Sequence, residues 1–168
     1  VVVWETIAIL EYLAEKFPQH AIWPRDATAR VHARSVAAEM HSGFQALRSA
    51  CAMDVTKRFA PKDRGPAVAA DVARITGIFR EARGRFGAGG PFLYGAFCAA
   101  DGMYAPVCTR FRSYAIAVDP VSQAYVDAVL DHPACKVWYS DAAAEPWILD
   151  DNGNDGETVI EDLRQRKA

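Results

Sequence analysis

The chain has 168 residues, 51% of them hydrophobic, and carries 19 Lys and Arg against 21 Asp and Glu for a net charge of −2. That is enough apolar material for one sizeable core, and the near-neutral balance excludes the electrostatic footprint of a nucleic-acid or anionic-membrane binder. The sequence holds no secretory signal and no apolar run long enough to span a bilayer.

The chain opens on a short β-branched run, Val1-Val2-Val3-Trp4, which reads as a strand. A strand this short needs partners that the sequence does not supply. Glu5-Thr6 follows at the first turn of an amphipathic helix, with Ile7, Leu10, Ala14 and Phe17 on one face and Pro18 as its stop. Free N–H groups at such a turn suit a ligand bearing a carboxylate and an amine. The plainer reading makes Thr6 a helix N-cap and Glu5 a solvated acid.

After a loop through Trp23-Pro24, Asp26 reads as the N-cap of one long helix reaching about Cys51, with Val36, Met40, Phe44, Leu47 and Cys51 on its apolar stripe. Gly43 lies inside it at a cost of about 1 kcal/mol. A polar connection from Thr56 to Gly65 leads to Pro66, which opens a helix with Val68, Val72, Ile75, Phe79, Ala82 and Phe86 inward. The cluster Gly87 to Pro91 lacks the basic residue and strand context of a phosphate loop and reads as a turn.

Cys98 and Asp101 then mark a helix start, with the carboxylate at the third position placed to accept the N-cap N–H. Tyr104, Val107, Phe111, Tyr114 and Val118 continue it as a buried central helix, mildly distorted at Pro106. Pro120 and Pro133 begin two more helices, the last with Trp138 and Ala142. From Asp150 the sequence is turn-forming and charged, with six acids against three bases, and reads as a flexible tail. The total is six helices, one orphan strand and no internal repeat.

Cys51, Cys98, Cys108 and Cys135 form no CxxC pair and sit in apolar helical contexts, as reduced core thiols of an intracellular protein. Neither they nor the four histidines show metal-ligand spacing, so no metal is expected.

Several of these pieces, in this order and spacing, resemble the cytosolic glutathione transferase superfamily of the bacterial type over roughly residues 1–149. They are Val2-Val3-Trp4-Glu5-Thr6-Ile7-Ala8-Ile9, Leu13-Ala14-Glu15-Lys16-Phe17-Pro18, Trp23-Pro24, Ala38-Glu39-Met40-His41-Ser42-Gly43-Phe44, and Phe92-Leu93-Tyr94-Gly95 with Ala100-Asp101 and Met103-Tyr104-Ala105-Pro106. The resemblance implies an all-α chain: the helical C-terminal bundle of the glutathione transferase fold, preceded by the last strand and helix of a thioredoxin-like domain. The implied division is 1–18 for the end of that domain, 19–27 for a linker, 28–149 for the helical domain and 150–168 for the acidic tail.

By the same resemblance Glu5 would take the ammonium of glutathione's γ-glutamyl end, and Thr6 its carboxylate. Met40, His41, Phe44 and Tyr104 would border the electrophile pocket; their plainer reading is core for the three apolar or aromatic residues and a packed or interfacial position for His41. Cys98 and Asp101 would cap the central helix, although a thiol is a poor cap acceptor and loses about 0.5–2 kcal/mol against Ser or Thr. The catalytic Ser, Cys or Tyr is expected upstream of Val1, so the 168 residues alone are expected to be inactive and to bind glutathione weakly or not at all.

The implied function is conjugation, or another addition, of glutathione thiolate to a small electrophile, with glutathione as co-substrate. A homodimer in the cytoplasm, without nucleic-acid or membrane partners, is the accompanying expectation. The alternative from the same resemblance is a non-catalytic helical interaction module; a free-standing helical ligand-binding bundle is a third reading. Fold does not choose among the chemistries that share this framework.

Overall fold

The computed structural model describes residues 1–147, 154 and 156–164. Its elements in chain order are α1 (Thr6–Lys16), α2 (Ala27–Ser42), α3 (Gln45–Ala50), β1 (Lys57–Phe59), α4 (Pro66–Phe86), α5 (Ala99–Ser113), α6 (Pro120–Asp131), α7 (Pro133–Ala144) and β2 (Val159–Asp162). A single 3₁₀ turn at Pro18–His20 follows α1. The chain is mainly helical, with one two-stranded sheet among the described residues.

Two compact units share it. One comprises Val1–Gly43 and Gly77–Tyr104, the other Phe44–Thr76 and the chain from Ala105 onward. In the first, Ala33, Val36 and Ala37 of α2, Phe79 and Ala82 of α4, and Tyr104 of α5 are sealed from solvent. The Phe79 and Tyr104 rings meet edge to face at 5.2 Å. The second unit packs Leu47, Phe59, Ile75, Tyr114, Tyr125 and Val129. Phe59 and Tyr114 stack at 4.7 Å.

Helix starts follow local chemistry. Asp26 caps α2 through Ala29 N–H at 2.8 Å, and Asp119 caps α6 through Val121 and Ser122 N–H, with Pro120 in the first turn. Pro133 opens α7 behind His132. The carboxylate of Asp101, fully buried, accepts Cys98 N–H at 2.8 Å and Leu93 N–H at 3.1 Å. It thus caps α5 and fixes the hairpin before it. α5 is buried nearly all round, as its apolar pattern requires. Its helix ends at Ser113 rather than Val118, because Ala115 turns left-handed at φ 50°.

Three expectations need correction. Residues 1–4 form no strand: Val1, Val2 and Trp4 stand in solvent, since an isolated strand has nothing to share its backbone hydrogen bonds with. The long helix from Asp26 to Cys51 is two helices, which raises the helix count from six to seven among the described residues. The break is at Gly43, where a Cβ would meet Glu39 O at 2.7 Å, and at Phe44, which is left-handed at φ 61°. Phe44 offers no cap, and Asp71 of α4 supplies one by accepting Leu47 N–H at 2.9 Å.

The third correction concerns the tail. Residues 148–153, 155 and 165–168 lie outside the described residues, but 159–162 form β2, antiparallel to β1. Lys57 stands opposite Asp162 and Arg58 opposite Glu161. Opposite charges facing across a ladder favour this pairing, so the acidic segment lies in register with a basic strand. The polar connection after Thr56 therefore contains a strand. On α7 the buried residue is Cys135, and Trp138 is 38% exposed.

Candidate functional site

The candidate site is the turn at the start of α1. Glu5, not Thr6, is the N-cap. It adopts φ 76°, and its carboxylate accepts Ile7 N–H at 3.0 and 3.1 Å and Ala8 N–H at 3.1 Å. A non-glycine residue at positive φ costs of order 1 kcal/mol and persists where other bonds determine it. Here the capping bonds do so. They also hold the Glu5 carboxyl below its ordinary value, Ile7 N–H first, with Ala8 N–H and the charge of His41 adding to it.

His41, in the last turn of α2, brings Nε2 to 3.1 Å from Glu5 Oε1. Glu5 therefore has three partners: two helix N–H groups and an imidazole. Thr6 is exposed at the first helical position and borders a groove of about 430 Å³ whose other walls include Leu10, Ile22, Phe97, Cys98 and Met103. An anion seated on the N–H groups of this turn would have to displace the Glu5 carboxylate from them. A ligand cation could meet Glu5 where it stands.

The residues expected at an electrophile pocket separate. Met40 and Tyr104 are sealed in the core of the first unit, and the Tyr104 hydroxyl donates to Val36 O at 3.1 Å. Phe44 is buried at the start of α3. A substrate wall built from these three is closed in this structure, because packing has claimed their surfaces. His41 alone of the four is exposed, and the structure brings it to Glu5. The arginines of α2 are also spent: Arg34 forks onto Glu11, and Arg30 donates to Pro24 O and Arg25 O.

Cys98 is no nucleophile here. Burial, with Asp101 adding to it, pushes its thiol up to about 12, so the thiolate is scarce at neutral pH. Burial also raises Cys51 and Cys135. All four cysteines are buried, and none is in a disulfide. Among the described residues no three His, Cys, Asp or Glu side chains converge as a metal site, and no helix is long and apolar enough to cross a membrane.

The sequence reading missed a polar network in the same unit. His32 Nδ1 lies 2.7 Å from the Tyr94 hydroxyl, and its Nε2 lies 3.5 Å from Glu81. Phe86 packs on both rings. Burial raises the Tyr94 hydroxyl well above its ordinary value, which suits a hydrogen-bonding strut between α2 and the hairpin rather than a phenolate. Its only sequence signal, an inward His on an otherwise apolar helix face, was too weak to find it. Arg83 is a second such strut, donating to Gly87 O, Gly90 O and Phe92 O.

No family model matches the chain, and no curated protein does. Solved structures do. One is a glutathione transferase homolog from Burkholderia gl BGR1, crystallised with bound glutathione. It superposes with a TM-score of 0.58 at 23% identity, over 83% of this chain and 67% of that one. The chain therefore shares the fold of a glutathione transferase homolog.

Proposed function

We propose that this chain carries part of a glutathione site and belongs to a protein that adds glutathione thiolate to a small electrophile. The observation that carries the reading is the Glu5-Thr6 turn. It places a carboxylate, a hydroxyl and a helix N-terminus together at the solvent edge. Glu5 would hold the γ-glutamyl ammonium. Thr6, through its hydroxyl and N–H, would hold the γ-glutamyl carboxylate at the positive end of α1. The fold shared with a glutathione transferase homolog supports the reading.

Conjugation needs the thiol lowered to thiolate. Cys51, Cys98 and Cys135 are poor stand-ins for it, because burial raises all three. The residue that activates glutathione is assigned to none of those above. The open groove beside Thr6, rather than the sealed Met40, Phe44 and Tyr104, is the better candidate for the electrophile. A cytoplasmic homodimer completes this reading.

A non-catalytic interaction module is the second reading. It is favoured by one observation: Glu5 already has its own helix and His41 as partners. Amide chemical shifts decide between the two. Millimolar glutathione should move Thr6, Ile7 and Ala8, and cysteinylglycine, which lacks the γ-glutamyl end, should not. If the two peptides give the same shifts at this turn, the glutathione reading fails.

A further inference from the structure

The second compact unit contains a groove of about 560 Å³ with apolar walls that include Val68 and Val72 of α4 and Ile116 beyond α5. Lys62 and Arg64 also line it. Arg64 is built in rather than loose. Its side chain is 5% exposed, its guanidinium lies 4.6 Å over the Tyr114 ring, and it donates to Ala50 O at 3.0 Å. Its Nε is buried and has no hydrogen-bond partner. A planar guanidinium held this way presents the geometry that recognises a carboxylate.

The chain's own tail shows that chemistry. Glu157 places Oε1 2.7 Å and Oε2 3.0 Å from the two Arg64 Nη atoms, and Lys62 Nζ lies 2.8 Å from Oε1. The Glu157 side chain is 5% exposed. The segment that delivers it is short and lies at the surface: every residue of β2 is exposed, the strand is four residues long, and backbone bonds at Ala60 and Leu163 and the Arg164 Nε to Thr56 Oγ1 bond hold it. A built carboxylate site thus has its occupant on a short, exposed strand segment.

We propose that this groove binds a small amphipathic monocarboxylate, whose head group takes the place of Glu157 on Arg64 and Lys62 and whose apolar tail lies along Val68, Val72 and Ile116. Binding then releases the 156–164 segment from β1, so the tail strand is both competitor and reporter. The charge of the site and its apolar walls select the ligand class. Asp63 also lines the groove, but it is exposed and its carboxylate accepts Gly65 N–H at 2.8 Å. This site is independent of the glutathione reading.

A tethered carboxylate competes at an effective concentration in the millimolar range or above, so removing its charge should strengthen a free one. Sodium octanoate is the probe and 1-octanol the uncharged control. Calorimetry should show Glu157→Gln binding octanoate roughly tenfold or more tighter than the unmodified chain, with 1-octanol unaffected by the substitution. In the Glu157→Gln background, Lys62→Gln should weaken octanoate several-fold. In the unmodified chain, saturating octanoate should speed hydrogen exchange at Ala60 and Leu163, whose amides bond across the β1–β2 pair. Equal octanoate affinity in both proteins, or no octanoate binding to folded Glu157→Gln, overturns the proposal. If Glu157→Gln does not fold, unchanged exchange in the unmodified chain overturns it alone.

Discussion

Glu5 and His41, separated by the whole of α1, the following loop and most of α2, meet at 3.1 Å. The contact joins the start of α1 to the last turn of α2. Glu5 caps one helix and pairs with the other, so its protonation should be felt at both. Its carboxyl is held below its ordinary value of 4.5 by Ile7 N–H first, then by Ala8 N–H and His41. A depressed acid contributes stability that is present above its unfolded value and lost as pH falls through the folded one. The Ile7 and Ala8 amide shifts should therefore titrate with a midpoint below 4.5. A midpoint at or above 4.5 contradicts the capping geometry.

Substitution at the same position separates cap from conformation. Glu5→Ala removes the cap but keeps a Cβ at φ 76°, whereas Glu5→Gly removes the cap and relieves the strain. Glu5→Gly should be the less destabilising of the two in urea unfolding. The reverse order would mean that the left-handed backbone carries no strain.

Asp101 is a fully buried polar anchor in the first unit. Asp101→Ala strands the buried N–H groups of Cys98 and Leu93, each worth about 1–3 kcal/mol when unsatisfied. The loss should be about 2–4 kcal/mol in denaturant unfolding. Cys98→Ser should act in the other direction by about 1 kcal/mol, because a hydroxyl is the better cap acceptor. A stability loss in Cys98→Ser would show that packing of the sulfur outweighs the cap.

The thiols should be silent in the folded protein. With Cys98 pushed up to about 12, Cys51 and Cys135 raised and all four buried, a thiol reagent at neutral pH should label none rapidly. All four should react in urea. Rapid labelling of one thiol in the native state would mark a local opening.

The clamp on the tail strand gives a second pH signature. Hydrogen bonding from Arg64, then from Lys62, holds the Glu157 carboxyl below its ordinary value of 4.5. Its contribution is present above that value and disappears as pH falls through the lowered one. Protection of the Leu163 amide should persist at pH 5 and fail only below 4.5, ahead of global unfolding. Loss of protection above pH 5 would show that Glu157 does not hold the strand.

Much of the fold was legible wherever the signal is local. Asp26 caps its helix, Pro66, Pro120 and Pro133 open theirs, and Asp101 caps the central helix, because capping and proline sterics act within a few residues. The break between α2 and α3 was not legible, since Phe44 continues the apolar period and its left-handed backbone depends partly on a cap from Asp71 of α4, 24 positions past Leu47. The β1–β2 pair was invisible for the same reason. Neither strand announces itself by alternation, and each becomes one only when paired with a segment about a hundred positions away.

The candidate site divides the same way. From its residues alone, the chain shows that an acid and a hydroxyl stand at the first turn of a helix, where free N–H groups favour anions. Which of the two caps the helix, and that the acid finds His41, were decided by tertiary structure. Whether Met40, Phe44 and Tyr104 face a ligand or the core was decided there too, and the core took them. A helical period says that a side chain lies on an apolar face, but only the packing of other elements says whether that face is closed.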